Sequence, residues 1–551
     1  NPSDRPALFT ISVSNFDYAD RDRIIDIVWE EIGEIREDGI EEEELERQKR
    51  LLVKNLMYEN ETVSGQTSSM MYNYMIYGRP YSLDFLVPRY MDVTEEDIDR
   101  VTADYILPHT MTVAVVHPPL EDEKAEELVV NDEAGIDFEK RVLENGLVVL
   151  VAENHNVPHI DADMFFNAGL RYEPEGKMGI NKLTALYMTE GVDGYEDPEE
   201  ISEYMEWNGY DVSADGGNNT ISVEATFLPM DAEPVMDLMS RVAFEPTFPE
   251  EALPRLKRMQ GMRLAAQSNN WSSEAYYFFR EHYFADHPYG GNPTGDAQEI
   301  AGITREDVLD YYRSYVNPDN AVLAISGPLP ADELFELCRE NFAEYGGVTE
   351  SFPEIAEPGP RESPEEHFKY TDRGQVTLMI GFPAPTIYDD ERYTLSVMDG
   401  ILSGLKGRLH EELRGVRDLV YLVWGSSFLG PDGGTFYVTT QTSPENYDSV
   451  YAVIMRELDK MKAGDFDDED IATAKLGIRE SFNNSRQEQE THVFSAALDE
   501  LYGLGFEYDS EYLSRIEDVT KEDIVTYANK YLQNPVTTVV APEGFAAEGD
   551  E

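Results

Sequence analysis

The stretch Gly302–Pro328, GITREDVLDYYRSYVNPDNAVLAISGP, sets the organisation of this chain, because it has two counterparts. The first is Asp92–Pro118 (DVTEEDIDRVTADYILPHTMTVAVVHP) and the other is Asp518–Gly544 (DVTKEDIVTYANKYLQNPVTTVVAPEG). Each places a Thr ahead of an acidic first turn, as a helix N-cap requires, and follows it with about three amphipathic turns. An Asn or Pro stop and a β-branched strand come next. Val93 and Ile303 lie 210 residues apart, Ile303 and Val519 216. Upstream of each copy runs an acidic-start helix: Gly39–Asn55, Phe248–Gln267 and Phe466–Asn484. Two ordered landmarks at one period of about 210 residues exceed any solenoid repeat and imply repeated domains.

Composition agrees with three such modules in 551 residues. Apolar residues make up 41%, with 33 Tyr and 24 Phe, enough for packed cores. No apolar run is long enough to span a membrane. The first residues, NPSDRPALFT, lack the basic and apolar regions of a signal peptide. The single Cys338 lies in an amphipathic helix, excludes internal disulfides and reads as core filler. A net charge of −67 excludes nucleic acid as a partner. The acidity is spread over every helix face, as on the solvated surface of a salt-adapted protein; an acidic cavity that selects basic peptides is a second reading.

The expected fold class is α+β: repeated modules of about 200 residues, each an antiparallel-rich sheet packed with helices. Residues 1–119 form a truncated module, with a strand starting at Leu8–Val13 and helices near 20–37, 41–58 and 66–77. About 80 residues that precede the corresponding strand in module two have no counterpart in module one, so the chain reads as a piece of a longer protein. Residues 120–137 (LEDEKAEELVVNDEAGID) form an acidic linker. Residues 138–345 form the second module, opened by a hairpin at Asn145-Gly146. Its helices are expected near 177–190, 198–208, 231–243, 249–267 and 272–284, with strands near 160–169, 210–216 and 220–228. Residues 346–366, rich in Pro, Gly and Glu, are a second linker, and 367–551 the last module. There strands are expected near 374–382, 420–429 and 434–441, with helices at 388–403, 445–463, 467–487, 490–502 and 521–532.

Paired modules of this order resemble the insulinase/pitrilysin-like metallopeptidases, in which four modules form the two halves of a clam-shell chamber joined by a linker. The resemblance covers nearly the whole chain and makes its modules the family's second, third and fourth. In the family the first module carries an inverted zinc motif, H-x-x-E-H, on a helix. The matching place in module two reads Gly179–Gly191, GINKLTALYMTEG, which resembles the glycine-framed helix of the motif. Aligning the glycines puts Lys182 and Leu186 at the histidine positions and Ala185 at the glutamate position, and none of the three side chains can ligate zinc or activate its water. His155 and His159 (HNVPH) read as strand or turn residues, and His282 and His287 as a structural helix end. No H-x-x-E-H or H-E-x-x-H occurs in the chain. The resemblance therefore implies no metal or cofactor in this chain, with zinc on an upstream module or a partner chain.

The family's fourth module carries the pattern L-R-x-x-x-G-L-x-Y at a helix-to-strand corner, and Leu413, Arg414, Leu419 and Tyr421 match it in RLHEELRGVRDLVYLVW. Asp418 stands where the pattern has glycine. A guanidinium and a phenol facing a closed cleft can hydrogen-bond a scissile carbonyl and the oxyanion that grows from it, or hold a peptide backbone extended along a sheet edge. Phe428, Gly430, Gly433 and Gly434 read as a plain hairpin turn. The resemblance implies the non-zinc C-terminal portion of a zinc metalloendopeptidase, inactive alone, with Arg414 and Tyr421 contacting a peptide substrate, and suggests an exported, periplasmic location. A catalytically inactive homologue, serving as a structural or peptide-binding subunit, is the alternative.

Overall fold

A computed structural model describes residues 9–11, 21–40, 63–80, 83–107, 111–113 and 136–545 (other than 158, 350, 360 and 404–406), with isolated residues between 42 and 52. It divides into two compact units, residues 1–131 and 132–551. The first unit carries helices α1 (Arg21–Asp38), α2 (Val63–Tyr77), α3 (Leu83–Met91) and α4 (Glu95–Tyr105). Residues 9–11 and 111–113 are not in strands, and the linker expected at 120–137 lies almost wholly outside the described residues.

The second unit holds two sheets. The first is built from β1 (Glu139–Val142), β2 (Val148–Glu153), β3 (Ile160–Asn167), β4 (Asp211–Gly216), β5 (Thr220–Phe227) and β6 (Ala321–Gly327), in the order β1-β2-β6-β3-β5-β4. Only the β2–β6 pair is parallel. Helices α5 (Ile180–Met188), α6 (Pro198–Asn208), α7 (Ala232–Phe244), α8 (Leu253–Asn269), α9 (Trp271–Phe284), α10 (Arg305–Tyr315) and α11 (Ala331–Phe342) accompany it. The second sheet comprises β7 (Glu365–Thr371), β8 (Val376–Ala384), β9 (Val420–Gly430), β10 (Gly433–Thr442) and β11 (Val536–Pro542), ordered β7-β11-β8-β10-β9, and only β7–β11 is parallel. Its helices are α12 (Glu391–Leu402), α13 (Tyr447–Ala463), α14 (Asp468–Ser485), α15 (Gln489–Leu501), α16 (Tyr512–Asp518) and α17 (Lys521–Tyr531). Strand for strand the two sheets have one topology, with β1 as an addition to the first. The strand β7 is absent from the sequence reading: EEHFKYT alternates too weakly to separate from the linker before it.

The three landmark helices are closed the same way. Thr94, Thr304 and Thr520 each cap the N–H of Asp97, Asp307 or Asp523, whose carboxylate returns a bond to the Thr N–H. This reciprocal box satisfies two donors that a helix start otherwise leaves open.

Period-2 alternation splits each sheet's side chains between two faces. Along β3, Ile160, Ala162, Met164 and Phe166 enter a core closed by α5, α7 and α11; along β8, Val376, Leu378, Ile380 and Phe382 enter the equivalent core of the other module. The opposite faces are covered reciprocally. Helix α9 of module two lies on β8 and β11, burying Phe279, Tyr283 and Phe284 with Met379, Val536 and Val540. Helix α15 of module three lies on β3 and β6, burying Val493, Ala496 and Ala497 with Leu150, Phe165, Val322 and Ala324. Each module thus completes the other's sheet. At α9 the fit is close: a Cβ on Gly381 would collide with the Phe279 ring.

Candidate functional site

In module three the chain reaches the sheet's free edge through three consecutive departures from regular geometry. Residues Glu411–Val416 form a π-helical turn. Asp418 then takes φ +52°, a left-handed conformation rare outside glycine. Its N–H donates to Arg414 O at 3.2 Å, and Leu419 N–H donates to Leu413 O at 2.8 Å. Finally β9 bulges. Val423 pairs with Thr440 and Val420 with Thr442, so Tyr421 and Leu422 together oppose Gln441. The Thr440 and Thr442 hydroxyls donate to Leu422 O (2.6 Å) and Leu419 O (2.7 Å) and fix the irregular strand start.

These features bring Arg414 and Tyr421 together. The guanidinium carbon lies 5.0 Å from the centroid of the tyrosine ring, and both side chains are exposed. Leu413, one residue away, is fully buried and anchors the turn. The base of the turn is clamped by ions. Arg408 pairs with Asp470 (3.1 Å) and the fully buried Glu457 (3.4 Å), and Glu457 also accepts from Arg456 and Lys460. Arg417 and Arg456 share Glu412. Among the described residues no carboxylate pairs with Arg414, although its neighbours Arg408, Arg417 and Arg456 are all paired. Such a guanidinium leaves its donors open to water or to a ligand. Behind the strand, Ser403 donates to Asp399 (2.6 Å) and accepts from Gly425 N–H (2.6 Å), tying the end of α12 to β9. Burial pushes the Asp399 carboxyl up to about 6.

The strand carrying Tyr421 ends in a hairpin that is more than a turn. Asp432 at its tip takes both a 2.9 Å ion pair and a 3.3 Å hydrogen bond from Arg171 of module two. Phe428 packs against Tyr289 and Phe284 and under the buried Arg280 guanidinium. The hairpin is therefore part of the seam between modules.

At the glycine-framed helix α5 the three positions aligned with the zinc motif are taken up by packing and an ion pair. Lys182 pairs with Asp215 on β4, Ala185 is fully buried, and Leu186 is packed against the core. Zinc does not fit this donor set, and among the described residues no group of three or more His, Cys, Asp or Glu side chains could hold a metal ion. His155 pairs with Glu153 and His159 with Asp161. His287 is held neutral, its pKa pushed down to about 4 by burial, and its Nδ1 accepts from Tyr289 N–H at 3.1 Å. Cys338 is buried in the first core, and burial raises its thiol.

Comparison with known proteins agrees with this architecture. Residues 148–292 match the family described as Insulinase (Peptidase family M16), and residues 302–478 match the Peptidase M16 inactive domain. An uncharacterised zinc protease of Rickettsia felis is 22% identical over 407 residues, covering 72% of this chain and 96% of the relative. A probable inactive metalloprotease of Bacillus subtilis is 24% identical over 313 residues, covering 54% of this chain and 70% of the relative. Several mycobacterial zinc proteases are matched over 57% to 60% of their length. The crystal structure of a peptidase M16 inactive domain from Pseudomonas fluorescens superposes with a TM-score of 0.66 at 21% identity, over 75% of this chain and the whole of that one. The chain belongs to the M16, or insulinase, peptidase family, and its described second unit has the fold of that family's inactive-domain proteins.

Proposed function

We propose that this chain is the non-zinc portion of an M16 metalloendopeptidase and that it supplies substrate contacts through Arg414 and Tyr421. The observation that carries the reading is the unpaired, exposed Arg414 stacked on Tyr421 at an open sheet edge. A π-turn, a left-handed aspartate and a β-bulge place the pair, and such irregularities cluster at functional sites. Beyond β9 the sheet has no further strand among the described residues. An extended peptide can add there through backbone hydrogen bonds while the guanidinium and the phenol hold a carbonyl oxygen. Charge developing on that oxygen during hydrolysis would be met by the same two donors. The metal and the water it activates belong to another module, upstream or on a partner chain, because α5 offers no ligands.

The replaced side chains of α5 also suit a second reading, an inactive homologue that binds peptides or serves as a structural subunit. The test is zinc content of the purified chain together with cleavage of a quenched fluorescent peptide library. Zinc-free chain that binds extended peptides but cleaves only when a zinc-bearing module is added supports the first reading. Peptide binding with no cleavage in any assembly supports the second. Stoichiometric zinc with chelator-sensitive cleavage by the chain alone would overturn both.

A further inference from the structure

The edge strand β9, VYLVWGSSFLG, holds no charged residue and no proline in its 11 residues, in a chain with 110 acidic side chains. Open edges are ordinarily blunted by charge, proline or short length, because their free N–H and C=O groups pair with any extended chain. The matching edge of the other sheet follows that rule: β4 has only six residues, DVSADG, and carries Asp211 and Asp215. The edge of β9 is left unguarded.

The two faces of β9 differ. Val420 and Val423 enter the core of module three, and Gly425 is pressed against Asp399 and Ser403. Alternation then turns Leu422, Trp424 and Phe428 to the outer face. Phe428 is covered by Phe284 of α9. At Trp424 that cover ends, because α9 starts with Trp271, whose ring meets the Trp424 ring edge-on with centroids 6.2 Å apart. Asn270 caps the helix by accepting from the N–H groups of Ser272 and Ser273, which fixes where Trp271 stands. Both indoles are half-buried, and Leu422, the next outer-face residue toward Tyr421, is 43% exposed. Two of the chain's four tryptophans thus meet beside the Arg414–Tyr421 pair, one from each module.

We propose that Leu422, Trp424 and Trp271 form a specificity platform that selects a large apolar or aromatic side chain of the bound peptide. This rests on the reading that Arg414 and Tyr421 hold a peptide along β9. A strand added beyond β9 turns every second side chain to the outer face, about 5 Å from its neighbour on β9. The selected residue therefore lies about three positions from the held carbonyl, as Trp424 lies from Tyr421. A phenyl or branched aliphatic group there covers indole surface in the offset or edge-on contacts that aromatic rings favour. A charged side chain finds no counter-ion on β9, and Thr439, which pairs with Trp424 in register, is neutral. A second copy of the chain pairing edge to edge would bring together two bodies of charge −67, so a peptide is the occupant that suits.

The test measures binding of fluorescein-labelled peptides of about ten residues to the full chain by polarisation. A single Phe is moved stepwise along a Ser/Thr-rich sequence. Binding should tighten about tenfold at one position, or at two positions of the same parity, and Glu there should bring no gain. Trp424→Ala and Trp271→Ala should each remove most of that gain, Trp424→Phe should keep most of it, and thermal unfolding should not move. Leu422→Ser, at an exposed position, gives the same reading if a tryptophan variant unfolds. A gain that survives all three truncations, equal tightening at every position, or self-association that Leu422→Asp abolishes would overturn the proposal. Arg414→Ala should weaken every peptide by a similar factor and leave the ratio between Phe and Ser peptides intact. If Arg414→Ala changes nothing while the tryptophan variants lose the gain, the platform stands and the Arg–Tyr reading falls. A chain that binds none of the peptides overturns both.

Discussion

The corner that leads into β4 and the corner that leads into β9 are the same place in two copies of one module, and they have been finished differently. In module two a regular helix, α6, ends in Gly209 at φ +71°, Tyr210 N–H returns to Met205 O, and β4 runs in clean alternation. In module three the helix has widened to a π-turn, Asp418 stands at the left-handed position, and the strand bulges to turn Tyr421 out. The first corner is what helix-capping chemistry produces unaided. The second holds strained geometry around two exposed polar side chains. If Arg414 and Tyr421 hold a peptide as proposed, the difference sets an edge shaped for recognition against one shaped for packing alone.

The sharpest way to break that contrast is Arg414→Ala in an assembly that contains the zinc-bearing module. Cleavage of a fluorogenic peptide should lose two to three powers of ten in kcat, about 3–4 kcal/mol of transition-state stabilisation. Unfolding of the chain should not shift. Lys182→Met at the other edge should leave kcat unchanged, and an equal loss from both variants would erase the distinction.

The two edge hairpins offer a second contrast. The β9–β10 tip is held by the Arg171–Asp432 pair. Among the described residues the β4–β5 tip has no ion pair and offers neutral amides, with Asn218 accepting from the Arg280 guanidinium and Asn219 from the Tyr289 hydroxyl. Asp432→Ala strands a half-buried guanidinium and should cost about 3 kcal/mol in urea unfolding. Asn218→Ala should cost less, about 1–2 kcal/mol, since Arg280 keeps its bond to Tyr289 O.

The covered sheet faces differ too. Asp163 on β3 takes the place that Thr377 has on β8, and burial, reinforced by Glu224, Asp161 and Glu490, pushes its carboxyl up to about 8. The unfolded value is near 4, so between about pH 4 and pH 8 the folded state binds more protons than the unfolded chain. Stability therefore falls as pH rises through that window. Asp163→Asn should match the parent near pH 4 and exceed it by a margin that grows as the pH rises toward 9. Parallel stability profiles for the two proteins would exclude Asp163 as the source. The smallest effect belongs to the corners themselves: Asp418→Gly should gain up to about 1 kcal/mol by relieving the left-handed residue, whereas Gly209→Ala should lose about as much. Thermal unfolding of both variants measures the pair.

Much of this was legible in the sequence, for a physical reason. The segment DPEEISEYMEWNG spells its own boundaries, with Asp197 as cap, Pro198 at the first turn and Gly209 as stop, and the helix runs Pro198–Asn208. The three Thr caps announced the repeat in the same way. What stayed hidden depends on partners. Apolar faces on α9 and α15 say that each is buried, not that each is buried on the other's sheet. Asp432 reads as a turn residue until Arg171, 261 residues away, comes beside it. At the candidate site, the Arg414 and Tyr421 side chains were visible as a spacing, but the wide turn, the bulge and the sign of φ at Asp418 leave no periodic trace.

The reciprocal helix exchange also sets a timetable for biosynthesis. The outer face of β3 is made early, yet the helix that covers it begins at Gln489, more than 300 residues later. At about 5–20 residues per second, a ribosome needs on the order of 20–60 seconds to deliver it. Throughout that interval module two presents Leu150 and Phe165 uncovered beside the nascent chain, joined by Val322 once β6 is made. The first complete core must therefore wait half-closed for the end of its own message, and premature termination anywhere before α15 would release a sticky product instead of a shorter folded chain.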